Sequence, residues 1–121
     1  MIKLDVGKDI YTVLSSNSAI TQTIFPVQYE EDAPMPYVTY ERTNTNYVRT
    51  KDFIKTKEHT IDLHIYTETY NEGINLAEEA VNTLLDYDYS STDIKSVDLV
   101  TTSEDWNGCY IQNITINIIY K

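Results

Sequence analysis

The residues of this sequence with reactive chemistry are few: two histidines, one cysteine and several adjacent carboxylates. His59 and His64 lie five positions apart. On one extended strand an odd separation turns them to opposite faces, so they cannot share a metal ion within that strand, and each is expected to be a surface residue among solvated neighbours. Cys109 follows a tight turn, but a thiol becomes nucleophilic in an electropositive setting, and its nearest charges in sequence are Glu104 and Asp105. The pairs Glu30-Glu31 and Glu78-Glu79 raise acid–base or cation chemistry. A calcium loop needs acids at alternating positions around a central glycine, a pattern absent here, and adjacent acids on a solvated helix explain the second pair. Gly7, Gly73 and Gly108 are too scattered to form a phosphate-cradling loop. The expectation is a protein that is not an enzyme, with no catalytic residue, no metal and no cofactor.

The whole chain bounds what remains. Its 121 residues make one domain, 1–121, and 41% apolar residues with 12% aromatics are enough to form a core. Nine basic against 19 acidic residues give a net charge of −10. That balance excludes binding nucleic acid with the whole surface, which depends on clustered Lys and Arg, and disfavours an anionic membrane. A single cysteine allows neither an internal disulfide nor a cysteine-held zinc, in keeping with a reducing compartment. No basic leader followed by an apolar run opens the chain and no 18 successive apolar residues occur, so a product made in the cytoplasm, without a membrane partner, is expected. The charge is also segregated. Arg42, Arg49, Lys51, Lys55 and Lys57 stand against Asp52 alone, a local sum of 5 − 1 = +4 within 42–57, which leaves −10 − 4 = −14 on the rest.

The elements that must position these groups follow from periodicity. Val6, Ile10, Val13 and Leu14 share one face of a short helix with Asp5 as its cap, and Ser15-Ser16-Asn17-Ser18 ends it. Ile24-Phe25-Pro26 reads as a short extended entry, and the acid- and proline-rich run 30–36 as a loop. A strand starts at Tyr37-Val38-Thr39-Tyr40-Glu41, and Thr43-Asn44-Thr45-Asn46 with the basic stretch reads as the mobile end of a long hairpin. From Glu58 to Thr67, Ile61, Leu63 and Ile65 alternate with polar residues, the period of a half-buried strand. Thr69-Tyr70-Asn71-Glu72 matches a capping box. It opens a helix whose core stripe would be Tyr70, Ile74, Ala77, Val81, Leu84 and Leu85, with Glu72, Glu78, Glu79 and Asn82 facing outward. After a polar loop to Asp93, a strand with Ile94, Val97, Leu99 and Val100 runs toward Trp106. Asn107-Gly108 predicts a two-residue hairpin turn, followed by a terminal strand with Gln112, Ile114, Ile116, Ile118 and Tyr120 on one side. Hairpin-joined strands with two helices on one face make an α+β fold on an antiparallel sheet of four to five strands.

The order and spacing of several segments resemble a known family. Ile24-Phe25-Pro26 followed by Ala33-Pro34-Met35-Pro36-Tyr37-Val38-Thr39-Tyr40, then Thr60-Ile61-Asp62-Leu63-His64-Ile65-Tyr66-Thr67 running into Thr69-Tyr70, and Ala77-Glu78-Glu79-Ala80-Val81 with Leu84, are similar to the tail-completion, or tail-terminator, proteins of long-tailed bacteriophages and prophages. The resemblance covers roughly residues 9–120. It implies a structural virion protein, assembled as a hexameric ring at the head-proximal end of the tail tube. There it stops tube polymerisation and offers the head–tail joining surface to the connector. The implied partners are other copies of the chain, the tail tube protein and the head–tail connector protein, with DNA only passing through the pore and the virion tail as final location. The acidic stretch before Pro34 and the Asn- and Ile-rich terminal strand depart from the family pattern.

A ring needs heterologous contacts, one patch meeting a different patch on the next copy, and segregated charge suits that need. The expected contact set is Arg42, Arg49, Lys51, Lys55 and Lys57 with Tyr47, meeting a complementary acidic face at Glu72, Glu78 and Glu79. Tyr87 and Tyr89 are further candidates for a subunit contact, whereas Tyr37, Tyr40, Tyr66, Tyr110 and Tyr120 fit cross-strand packing. The alternatives are a solvated basic loop with no partner, a head-closure or neck component, and a small cytosolic ligand-binding α+β module.

Overall fold

Alternation in the last strand sets the architecture. A strand points successive side chains to opposite faces, and here Gln112, Ile114, Ile116, Ile118 and Tyr120 are buried while every intervening residue is half-exposed. The computed structural model describes residues 7–16, 24–26, 35–49 and 54–121. In chain order these form α1 (Gly7–Ser15), β1 (Ile24–Pro26), β2 (Tyr37–Arg49), β3 (Ile54–Thr67), α2 (Tyr70–Asp86), β4 (Ile94–Trp106) and β5 (Tyr110–Tyr120). The expected cap Asp5, the first stripe residue Val6, the helix end at Asn17-Ser18 and residues 30–34 of the expected loop lie outside the described residues.

The sheet order is β1-β2-β3-β5-β4. Its four long strands are antiparallel, and the three residues of β1 join β2 in parallel at one edge. At the centre, Ile61, Leu63 and Ile65 face Ile116, Ile114 and Gln112 across the β3–β5 ladder. Ile10, Val13 and Leu14 of α1 and Ala80 and Leu84 of α2 cover the same face and complete one core. Each large aliphatic side chain buried there contributes on the order of 2 kcal/mol. This is the α+β fold expected from the sequence, with both helices on one face.

Thr69 caps α2 as the capping box predicts, its Oγ1 accepting from the Glu72 amide at 3.3 Å. The line of α2 that meets the sheet differs from the expected stripe. Gly73, Ala80 and Leu84 are its buried residues. A Cβ at Gly73 would lie 2.8 Å from Thr67 Oγ1 and 3.5 Å from Gln112 Cγ. The helix thus settles on its small residues, which permit the closest approach, and Ile74, Ala77 and Val81 become its half-buried flank while Tyr70 and Leu85 are exposed.

The β2–β3 hairpin is longer than its sequence pattern suggests. Ladder pairing continues from Arg42 to Arg49, with extra residues at Thr43 and Lys55 marking bulges. The Thr43–Arg49 run read as a mobile end is therefore strand in this fold. His59 is a second correction: expected on the surface, it is fully buried. It shares the parity of Ile61 and pairs with Ile118, so it faces the helices, edge-on to Tyr47 and Tyr120, with Nδ1 3.0 Å from Thr45 Oγ1. Its odd offset from His64 does put the two histidines on opposite faces. The final hairpin closes through three residues, Asn107–Cys109, between the paired Trp106 and Tyr110. Gly108 sits at φ 74° with open space around it, so glycine is required there by backbone conformation.

Tyr87 and Tyr89 pack against the core. The Tyr89 hydroxyl donates to the Leu84 carbonyl at 2.5 Å, satisfying one of the orphan acceptors at the end of α2. Burial pushes the Tyr89 phenol up to about 12. Burial, then the hydrogen bond that the Tyr120 hydroxyl donates to Asp9 Oδ2 at 2.5 Å, also raises the Tyr120 phenol, and that bond ties α1 to β5. A raised phenol contributes stability that is fully present below the ordinary pKa of 10 and is lost as pH rises through the folded value. Tyr89→Phe should therefore destabilise the chain by about 1 kcal/mol at pH 7, and the difference from the unsubstituted protein should shrink between about pH 10 and 12, as followed by urea unfolding across that range.

Candidate docking surface

The same roll of α2 that buries Gly73 leaves an apolar trough beside it. β4 is the outer strand of the sheet, and after Val97 every residue of it is exposed. On the helix-covered face, register places Leu99 opposite Ile116, Thr102 opposite Ile114 and Glu104 opposite Gln112. The extra residue at Val100 is a bulge that corrects the parity between Leu99 and Thr102. Between this half-strand and α2 runs a groove of about 680 Å³, with Ile74, Ala77, Val81, Leu99 and Ile114 as its apolar lining and Glu78 and Glu104 among its polar residues. A smaller hollow of about 300 Å³ continues it past Tyr70 and Tyr110 to Trp106.

The groove's far end is aromatic. Trp106 is 64% exposed and rests on Tyr110 with ring centroids 4.7 Å apart. Tyr110 in turn meets Tyr70 edge-on at 5.9 Å. The Tyr70 hydroxyl donates to Glu104 Oε1 at 3.1 Å, and that carboxylate, by accepting the bond and by its charge, raises the Tyr70 phenol. Exposed aromatic and aliphatic side chains gathered in one groove are of the types enriched at the centres of protein interfaces.

Glu72, Glu78 and Glu79 are all exposed on α2, and Glu78 also lines the groove. Of the basic set, Arg42 is exposed with Nη1 donating to Thr45 Oγ1 at 2.6 Å, and Lys57 is half-buried opposite Tyr120. Arg49 and Lys55 are placed on β2 and β3 by their backbone, while their side chains, and the whole of Lys51, lie outside the described residues. Tyr47 is half-buried against His59.

The acidic and basic sets lie apart within one chain. β3 and β5 separate β2 from β4, about 14 Å at the usual interstrand spacing. The hairpin extends past the Tyr120 end of β5, while Trp106 pairs at its Tyr110 end. The basic hairpin and the aromatic end of the groove thus occupy diagonal corners of the sheet. The sequence pattern marks the acids and the cations, but Leu99, Trp106 and the groove itself are missed by it, because their exposure depends on where α2 comes to rest.

A family model described as tail completion protein gp17 matches residues 8–107, from the first turn of α1 to the turn before β5. The chain belongs to this family. Its role is accordingly that of a structural component of a phage tail. A comparison with curated proteins finds none that matches. No helix among the described residues of this tail completion protein is long and apolar enough to cross a membrane.

The lone tryptophan makes the surface directly observable. Iodide or acrylamide should quench Trp106 emission efficiently in the free tail completion protein. Trp106→Ala should change stability by less than about 1 kcal/mol, as expected for an exposed position.

Proposed function

We propose that the protein forms a ring, hexameric as its family resemblance implies, on the head-proximal end of the tail tube, where it ends tube polymerisation and provides the head–tail joining surface. The observation that carries this reading is the uncovered groove between α2 and β4, set at the corner opposite a basic hairpin. Two unlike patches that cannot meet within one chain are what a heterologous contact requires, and that contact makes a ring where its rotation closes on itself.

The hairpin end carries Val48, Phe53 and Ile54 in sequence beside Arg49, Lys51 and Lys55. Docked on the next copy, the basic hairpin meets the acidic helix face at Glu72, Glu78 and Glu79. Such pairing steers encounter and fixes register more than it adds affinity. The surplus of −14 outside the hairpin keeps DNA from adhering as it passes the pore, since like charges repel along the whole phosphate backbone. The tail tube and the connector are the two partners on either side of the ring.

Reversing Arg49, Lys51 and Lys55 to Glu should abolish assembly on purified tail tubes, seen by electron microscopy as uncapped tubes that continue to grow, while circular dichroism shows the chain still folded. Combining that triple with Glu72→Lys, Glu78→Lys and Glu79→Lys should restore capping. Unaltered assembly of the first triple would exclude the charge contact. An independent substitution, Leu99→Asp, should block assembly through the groove at a cost of less than about 1 kcal/mol to the isolated chain, because Leu99 is already 42% exposed.

A further inference from the structure

The helix-free face of the sheet carries a group of side chains that neither the core nor the docking surface uses. Register places Glu41 of β2 directly opposite Asp62 of β3, and His64 lies two residues further along β3 on the same face. Like charges directly opposite across a ladder are destabilising, so this pair calls for a cation between them. One ligand atom from each of Glu41, Asp62 and His64 falls within 4.8 Å of the other two. His64 Nε2 is 3.5 Å from Glu41 Oε1. Two donors each about 2.1 Å from a tetrahedral ion stand about 3.4 Å apart.

The surrounding shell favours an ion over a chance cluster. His64 Nδ1 is 2.6 Å from Asn113 Oδ1. The Asn113 amide is oriented by its own donors, Nδ2 to Asp105 Oδ2 at 3.1 Å and to Ser103 Oγ at 3.4 Å. Its oxygen therefore accepts from the histidine, Nδ1 carries a proton, and Nε2 is the nitrogen turned to the two carboxylates. Thr115 Oγ1 donates to Asp62 Oδ1 at 2.7 Å, which steadies that carboxylate and leaves its second oxygen for coordination. Fixing a histidine tautomer through the far ring nitrogen, and bonding a ligating carboxylate, are the outer-shell arrangements that metal sites use.

We propose that Glu41, Asp62 and His64 bind one divalent transition-metal ion of the zinc, cobalt or nickel class. One imidazole with two carboxylates and no thiolate suits these ions, whereas magnesium avoids imidazole; water completes the coordination. Bound there, the ion cross-links β2 to β3 at the root of the basic hairpin, one residue before Arg42. The site stands independently of the ring reading.

The test uses the tag-free full chain, treated with chelator and desalted, and titrated with Zn²⁺ by calorimetry and with Co²⁺ by visible absorption. Saturable binding of one ion per chain is expected, with the d–d bands of low-symmetry cobalt and a rise in melting temperature on adding Zn²⁺. His64→Ala and Glu41→Gln should each abolish the cobalt spectrum. Asn113→Leu, which leaves the ligands but removes the tautomer control, should weaken binding 10- to 100-fold. Glu72→Gln should leave it unchanged. Absence of saturable binding by either ion, or a spectrum that survives both His64→Ala and Glu41→Gln, would overturn the assignment and leave His64 as an imidazole held between Asn113 and Glu41.

Discussion

The β3–β5 ladder is the constraint on which the rest of this structure depends. Its eleven register pairs run from Lys57↔Tyr120 to Thr67↔Tyr110 without a bulge, whereas both β2 and β4 join it through bulged ladders. Because side-chain parity is unbroken on the central pair, one face is centred on Ile61, Leu63, Ile65, Ile114, Ile116 and Ile118 and the other on Thr60, Asp62, His64, Asn113, Thr115 and Asn117. A slip of one residue would exchange the two faces and expose Ile61, Leu63 and Ile65 together. The helices, the groove and the carboxylate–histidine group all take their places from that fixed parity.

How α2 rests on this ladder decides what is left uncovered. Small residues at 73 and 80 let the helix approach closely, but a helix seated over β3 and β5 does not reach across β4. The outer strand keeps a paired inner edge and, among the described residues, no strand on its outer one, with Val100 and Lys95 bulged out of register. Bulges on an outer strand discourage indiscriminate strand addition, so the exposed side chains of the groove, more than the strand edge itself, offer the selective contact. On the helix-free face the same ladder sets Thr60 on Asn117, Asp62 on Thr115 and His64 on Asn113, a row of polar cross-strand bonds that needs no covering layer.

Much of the fold was legible from local pattern. The capping box at Thr69 and the alternation of β3 and β5 are written within a few residues each and fall where they are found, whereas the turn expected from Asn107-Gly108 alone takes in Cys109 as a third residue. Features that depend on a second element were not legible. His59 has the parity of Ile61, yet its polar type argued for the surface; Tyr47, Thr45 and Tyr120 on neighbouring strands make its burial tolerable. The stripe Tyr70–Ile74–Ala77–Val81 is a fair helical face, but contact distance is set by the glycine at 73, and hydrophobicity alone does not report that. Bulges at Thr43, Lys95 and Val100 break the period of β2 and β4, which is why the first looked irregular and the second showed Ile94, Val97 and Leu99 at uneven spacing. The ligands at Glu41 and His64 lie on different strands, so no spacing along the chain could have joined them.

The family assignment makes the protein part of a phage tail, and the ring proposed for it rests on contact between the basic hairpin of one copy and the groove of the next. Hydrogen–deuterium exchange of the chain, free and assembled on tail tubes, tests that self-docking most directly. The account predicts new protection in α2 and in residues 99–106 of β4, together with residues 47–57 of the hairpin. The β3–β5 ladder, already protected, should stay unchanged. Protection confined to other surfaces, with 99–106 exchanging as fast in the assembly as in the free chain, would contradict it.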